Sequence, residues 1–217
     1  MSRTKEVKQR VRTARGRTLS STRWLERQLN DPYVHKAKAE GYRARSAYKL
    51  LEVDAKHQLL RPGRRVVDLG AAPGSWSQVC ARRGLPVVAL DLEPVAPLAG
   101  VMTLQGDFRD DATVERLRAA LGGPVDLVLS DMAAFATGQR LVDRLKAEEL
   151  AELVLAFTDD VLAAGGDCLI KLVKGAEPVA RAQALTRFRQ VGFVRPPATR
   201  KDSSETFLIA KDRLPAG

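Results

Sequence analysis

An α/β fold, a mostly parallel sheet flanked by helices, is what this sequence predicts, and three observations predict it. Short apolar, β-branched runs alternate with helical stretches, the rhythm of βαβ units. One such run, Arg64-Arg65-Val66-Val67-Asp68-Leu69, passes directly into Gly70-Ala71-Ala72-Pro73-Gly74-Ser75-Trp76, which reads as a strand, a small-residue turn and a helix start. Asp68, Asp91, Asp107 and Asp131 fall at or near successive strand ends, on the edge where open α/β sheets bind ligands.

The elements follow in order. Residues 1–23 carry Arg3, Lys5, Lys8, Arg10, Arg12, Arg15, Arg17 and Arg23 against the single acid Glu6. Such a segment cannot bury enough apolar surface to fold alone. It predicts a disordered arm that meets RNA phosphate, ahead of a solubilising tail or a transit peptide, because the basic character continues into the folded part. Residues 24–217 form one domain with no internal repeat. Helical character begins at Trp24. Asp31 and Pro32 then cap and open a short helix ending at Gly41, and Ser46 caps another that runs to about His57. In between, Arg43 and Arg45 interleave with Tyr42 and Tyr48, a pattern suited to stacking on bases, or else to a helix entry with a buried tyrosine or two.

Pro62-Gly63 precedes the first strand, at residues 65–69; a helix at 76–83 closes on Gly84. Strands are expected at 86–91, 101–105, 125–131 and 167–173, with helices at 112–121 and 140–163, the latter ended by Gly165-Gly166. A helix at 178–190, a weak strand at 192–195 and a last strand at 205–210 complete a seven-stranded sheet. In the loop after the first strand, Gly70 and Gly74 allow a backbone to approach a ligand closely. With Ala at position 72 the loop departs from a dinucleotide fingerprint, which disfavours a nicotinamide oxidoreductase, and fits an amino-acid-bearing nucleoside better: S-adenosylmethionine. Asp91 follows Gly70 by about 20 residues, the spacing of an acid that binds ribose hydroxyls. The fold is thus Rossmann-like.

Composition narrows the function. The chain has 217 residues, 45% hydrophobic and 29% charged, ordinary for one domain with a real core. A net charge of +10 favours a polyanionic partner, most often nucleic acid. No apolar run approaches membrane-spanning length and no signal peptide is evident. Cys80 and Cys168 lack metal or redox spacing and read as buried hydrophobes in a reducing, cytoplasmic setting. His35 and His57, the two histidines, read as surface residues, and no metal site is expected. Lys171 stands out, because a lysine inside the apolar run Cys168–Val173 is costly to bury. Beside the strand ending at Asp131 it becomes a functional candidate.

Several stretches together resemble the FtsJ/RlmE family of ribosomal RNA large-subunit uridine 2′-O-methyltransferases. They are the Gly70–Trp76 loop, Gln105-Gly106-Asp107-Phe108-Arg109-Asp110, Ser130-Asp131-Met132-Ala133 and Ile170-Lys171, with Ser21-Thr22-Arg23-Trp24-Leu25 and Arg45-Ser46-Ala47-Tyr48-Lys49-Leu50. The resemblance runs from about residue 20 to 211. It implies an S-adenosylmethionine-dependent methyltransferase fold and a catalytic tetrad of Lys49, Asp131, Lys171 and Glu205. It also implies cofactor contacts at Gly74, Trp76, Asp91, Asp107 and Asp131, and ribosomal RNA as partner, within the large ribosomal subunit or its precursor. A monomer with no membrane partner is expected. Two departures stand. Ser75 replaces a family glycine, and Ala134-Phe135 replaces the family Pro-Asn after Met-Ala. The second lends support to an alternative, a catalytically inactive RNA-binding module. In the enzyme reading Lys171, when neutral, takes the 2′-hydroxyl proton; the other option is that it stays charged and stabilises the alkoxide.

Overall fold

Among the described residues, seven strands pair into one sheet: β1 (Val66–Leu69), β2 (Val87–Asp91), β3 (Val101–Gln105), β4 (Val125–Ser130), β5 (Leu162–Val173), β6 (Phe188–Val194) and β7 (Glu205–Arg213). Their order is β3-β2-β1-β4-β5-β7-β6. The five strands from β3 to β5 are parallel, whereas β7 runs antiparallel to both β5 and β6. The computed structural model describes residues 18–134 and 137–215. The greater part of the expected RNA arm, residues 1–17, lies outside them, as do Phe135 and Ala136 of the altered loop.

Strand β1 is buried along its whole length, which is why apolar residues fill it except at Asp68. Side-chain alternation divides the core between the two faces of the sheet. Val67, Leu69, Val128 and Ile170 pack under α5 (Asp111–Leu121), α6 (Arg140–Val161) and α7 (Glu177–Leu185). Val66, Leu129, Leu169 and Phe207 pack under α3 (Ala47–His57) and α4 (Ser75–Arg82). Two further helices, α1 (Leu19–Leu29) and α2 (Pro32–Ala39), lead into α3. The chain changes direction of winding between β1 and β4, so a crevice opens beyond their carboxyl ends.

Several boundaries differ from expectation. Helix α1 starts at Leu19 instead of Trp24, with the Thr22 N–H bonded to the Thr18 carbonyl at 3.0 Å. Gly165-Gly166 does not end a helix. The pair sits in β5, where the register against β4 jumps from Val125↔Leu162 to Leu127↔Asp167. Gly165 has φ +77°, and a Cβ on Gly166 would lie 2.7 Å from Leu162 Cγ, so the bulge needs both glycines. Helix α7 stops at Leu185, and β6 begins at Phe188 because β7 continues to Arg213 and supplies pairing partners there. Asp31 caps α2 as expected, accepting from Tyr33 N at 3.0 Å; Ser46 precedes α3 but makes no side-chain cap. Cys80 and Cys168 are buried free thiols. His35 is exposed, while His57 is half-buried, and burial lowers its pKa. No helix among the described residues is long and apolar enough to cross a membrane.

Candidate active site

Register alone brings two of the four tetrad positions together. Ser130 of β4 is the parallel partner of Ile170 of β5, so Asp131 and Lys171 come next side by side. Lys171 is in turn the antiparallel partner of Phe207, and Glu205 lies two residues before Phe207 on the same face of β7. Helix α3 supplies Lys49 from above that face. The result is a row of alternating charge: Lys171 Nζ lies 3.0 Å from Asp131 Oδ1, which lies 3.9 Å from Lys49 Nζ, which lies 2.9 Å from Glu205 Oε2. Lys171 also donates to the Asp131 carbonyl. Both lysine side chains are at most about one-tenth exposed. Burial pushes the Glu205 carboxyl up, but the adjacent Lys49 ammonium and its hydrogen bond, with Lys171 beyond, hold it below the ordinary value.

Two cavities flank this row. The first, of about 360 Å³, lies beyond the ends of β1, β2, β3 and β4 and is bordered by Asp131. Its lining includes Gly70, Ala72, Asp91, Leu92, Asp107, Phe108 and Met132, with Lys146, Glu149, Leu150 and Leu153 from α6. Gly70 has φ +74°, and a Cβ there would stand 2.7 Å from the backbone nitrogen of Met132, so glycine keeps this wall open. Asp91 shapes the loop by accepting from Ala72 N and Glu93 N, each at 2.8 Å. Asp107 is held below its ordinary pKa by the Arg109 side chain and then by the Arg109 backbone N–H. The second cavity, also about 360 Å³, is bordered by Lys49 and Glu205 and lined by Arg27, Gln28, Arg45, Arg200, Asp202 and Ser203.

The structure places the expected cofactor residues unevenly. Asp91, Asp107 and Asp131 line the first cavity; Gly74 and Trp76 do not. Gly74 has φ +98° at the start of α4, where a Cβ would meet Arg43 Nη1 at 2.5 Å and Val95 Cγ1 at 3.0 Å. Trp76 is 3% exposed, its ring turned away into the core beneath α3. The Gly74 N–H already donates to the Ala71 carbonyl, so what this segment can offer a ligand is the first-turn amides of α4. Asp68, grouped by sequence with the strand-end acids, is fully buried and faces α4, where Ser77 Oγ donates to it at 2.6 Å.

Other expectations change as well. Arg43 is spent on the carbonyls of Pro73, Ala96 and Pro97, at 2.9, 2.8 and 2.7 Å, and does not face outward for phosphate. Arg45 pairs with Asp31 at 2.9 Å and is only 15% exposed at its side chain, though it reaches the second cavity. Tyr42 and Tyr48 stack edge to face on each other, 5.6 Å between centroids, with Tyr48 buried, so neither presents a free face to a base. Sequence reasoning missed the α6 wall. Lys146, Glu149, Leu150 and Leu153 recur at helical spacing, a stripe that could have been read as one face. It also missed Arg200 and Asp202, which lie in a loop without a motif.

Comparison with known proteins follows the same outline. The profile of FtsJ-like methyltransferases matches residues 42–213. A "Ribosomal RNA large subunit methyltransferase E" from Gluconobacter oxydans is 50% identical over 202 residues, 92% of this chain and 75% of that one. The protein of the same description from Zymomonas mobilis is 49% identical, with 94% of each chain covered. A crystal structure described as a ribosomal RNA methyltransferase from Plasmodium falciparum superposes with a TM-score of 0.73 at 26% identity, covering 81% of this chain and all of that one.

Proposed function

The chain belongs to the FtsJ-like methyltransferase family and is an enzyme of methyl transfer; from that premise we propose that it methylates the ribose 2′-hydroxyl of a uridine in large-subunit ribosomal RNA, using S-adenosylmethionine. The observation that carries this reading is the row Lys171–Asp131–Lys49–Glu205 standing between two cavities. One cavity suits a methyl donor and the other an acceptor, and the row borders both. The relatives named for ribosomal RNA methylation supply the substrate class.

The first cavity fits S-adenosylmethionine by its own chemistry. The Gly70 wall is one that any Cβ would fill, Asp91 and Asp107 offer carboxylate acceptors to hydroxyl and amino groups, and Asp131 gives a negative charge opposite a sulfonium. When bound there, S-adenosylmethionine supplies a methyl group on an already electrophilic sulfonium. The protein's part is to hold the ribose oxygen in line and to manage its proton. Lys171 Nζ takes that proton, acting as the amine, while Asp131 fixes its position with both a carboxylate and a carbonyl oxygen. Lys49, steadied by Glu205, orients the hydroxyl from the second cavity. Arg27, Arg45 and Arg200 line that cavity already paired with Asp202 and Asp31, so a phosphate held there shares these arginines with those carboxylates. The two buried free thiols suit a cytoplasmic enzyme, and we take it to act as a monomer on the large subunit or its precursor.

The test uses large ribosomal subunits from a strain lacking this enzyme, with ribose methylation mapped by mass spectrometry. Wild-type protein restores one 2′-O-methyluridine. Lys171→Ala lowers the rate by about 100-fold or more, while calorimetry finds S-adenosylmethionine bound nearly as before. Methylation of a base, or equal loss of transfer and cofactor binding in Lys171→Ala, overturns the assignment.

A further inference from the structure

Trp76 sits in the helix that follows the expected cofactor loop, yet its ring makes its contacts on the other side, among the elements that carry the lysines. The indole Nε1–H donates to the Ser46 carbonyl at 2.9 Å. That same carbonyl accepts the backbone N–H of Lys49 at 3.0 Å. The indole therefore grips the turn of α3 from which the Lys49 side chain departs. The ring also packs on Phe207, 5.8 Å between centroids. Phe207 is the cross-strand partner of Lys171, lies two residues from Glu205, and has Lys49 Nζ 5.7 Å from its ring centre. One side chain thus touches α3 by a hydrogen bond and β7 by its face, and reaches both lysines and Glu205 through a single intermediate residue.

We infer that Trp76 is a positioning residue for methyl transfer, tying the helix behind the cofactor loop to the turn that presents Lys49 and to the Phe207 platform beneath the row of charges. This rests on the tetrad reading above. Both side chains are buried, Trp76 3% exposed and Phe207 0%, and the Ser46 carbonyl that accepts the indole N–H is half-buried. An indole N–H on so buried a ring keeps the bond, because losing the acceptor leaves the donor poorly satisfied. Its direction explains why the ring points away from the cavity. The backbone of residue 76 serves the loop while the side chain reports the loop's position to Lys49. A shift of an ångström or less between acceptor-holding amine and methyl donor is enough to lower the rate steeply.

The experiment compares Trp76→Phe, which keeps an aromatic ring against Phe207 but removes the donor, with Val79→Ala, which opens a cavity in the same core cluster and removes neither the indole N–H nor the Phe207 ring. Methyl transfer is measured on large ribosomal subunits from the deletion strain, well below the melting temperature of each variant. For Trp76→Phe the expected result is a kcat lower by about 10-fold, a KM for S-adenosylmethionine within about 2-fold of wild type, and faster hydrogen exchange at the Lys49 amide. For Val79→Ala the expected result is a lower melting temperature with kcat and Lys49 exchange unchanged. Wild-type kcat in Trp76→Phe, or equal losses of kcat in the two variants, overturns the inference. Wild-type protein that transfers no methyl group refutes the function itself; the exchange arm then decides alone, and unaltered Lys49 exchange in Trp76→Phe overturns the tether.

Discussion

Asp68 gives the sharpest stability prediction, because its charge has no use where it lies. It is fully buried between β1 and α4; one oxygen accepts from Ser77 Oγ and the other has no partner. Burial pushes its carboxyl from 3.8 up to about 7, opposed by the Ser77 hydrogen bond and reinforced by the charges of Asp131 and Asp91. An acid whose pKa is raised by folding binds its proton more tightly in the folded state. Its contribution to stability is therefore full below the unfolded value and is lost as pH rises through the folded one. A rise of about three units corresponds to about 4 kcal/mol between acid and alkaline limits, of which about 2 kcal/mol falls between pH 5.5 and 8.5. Asp68→Asn keeps an acceptor for Ser77 and removes the titration. In urea unfolding followed by tryptophan fluorescence, the stability of Asp68→Asn relative to wild type should improve by about 2 kcal/mol from pH 5.5 to 8.5. The absolute offset includes the burial of an amide and is not decisive; the difference between the two pH values is. A constant offset would show that Asp68 stays in one protonation state and refute the reasoning.

Two further predictions follow from the cavity and the row of charges. Gly70→Ala places a Cβ 2.7 Å from backbone atoms at a φ of +74°, so S-adenosylmethionine affinity by calorimetry should fall at least about 10-fold, with a loss of stability of about 1–3 kcal/mol; unchanged affinity would mean that this wall does not meet the ligand. Glu205 has a folded pKa below its ordinary value, so the stability it contributes is present above the unfolded carboxylate range and is lost as pH falls through the folded value. Wild type should accordingly lose more stability than Glu205→Gln when pH is lowered from 6 to 3, and parallel curves would dissociate Glu205 from Lys49.

Much of the fold was legible because parallel strands buried on both sides are dominated by apolar residues, and Val66–Leu69 and Val125–Ser130, each carrying an internal aspartate, are such segments. The strand-end acids Asp91, Asp107 and Asp131 were legible because the rule for open sheets says where the ends lie. Asp68 was misgrouped because it is one residue short of the end, and side-chain alternation turns it to the α4 face. The tetrad was not derivable from local pattern. Lys49 and Glu205 are separated by most of the chain, and only the pairing of β7 with β5 brings Glu205 to Lys171. Gly165-Gly166 was misread for a related reason: a helix stop and a strand bulge use the same residue, and the choice between them depends on the register of β4 against β5. Arg43, Arg45 and the tyrosines show the converse error, since charge and aromaticity in sequence do not reveal that backbone carbonyls and neighbouring rings already occupy them.

The charge pattern of the site bears on how any single residue in it can be interpreted. Two ammonium groups and two carboxylates, mostly buried, sum to no net charge, and each inner member faces a partner on either side. Burying such a row is tolerable because every charge is compensated, whereas removing one member leaves an unpaired charge that is only partly solvated. A lysine exchanged for alanine therefore alters the position and protonation of what remains as well as removing an amine. Conservative changes such as Glu205→Gln, and changes outside the row such as Trp76→Phe, separate position from charge. The same balance has a chemical consequence. Once Lys171 has given up its ammonium proton the row carries one net negative charge, and the proton that its amine then takes from the sugar hydroxyl returns the row to neutrality.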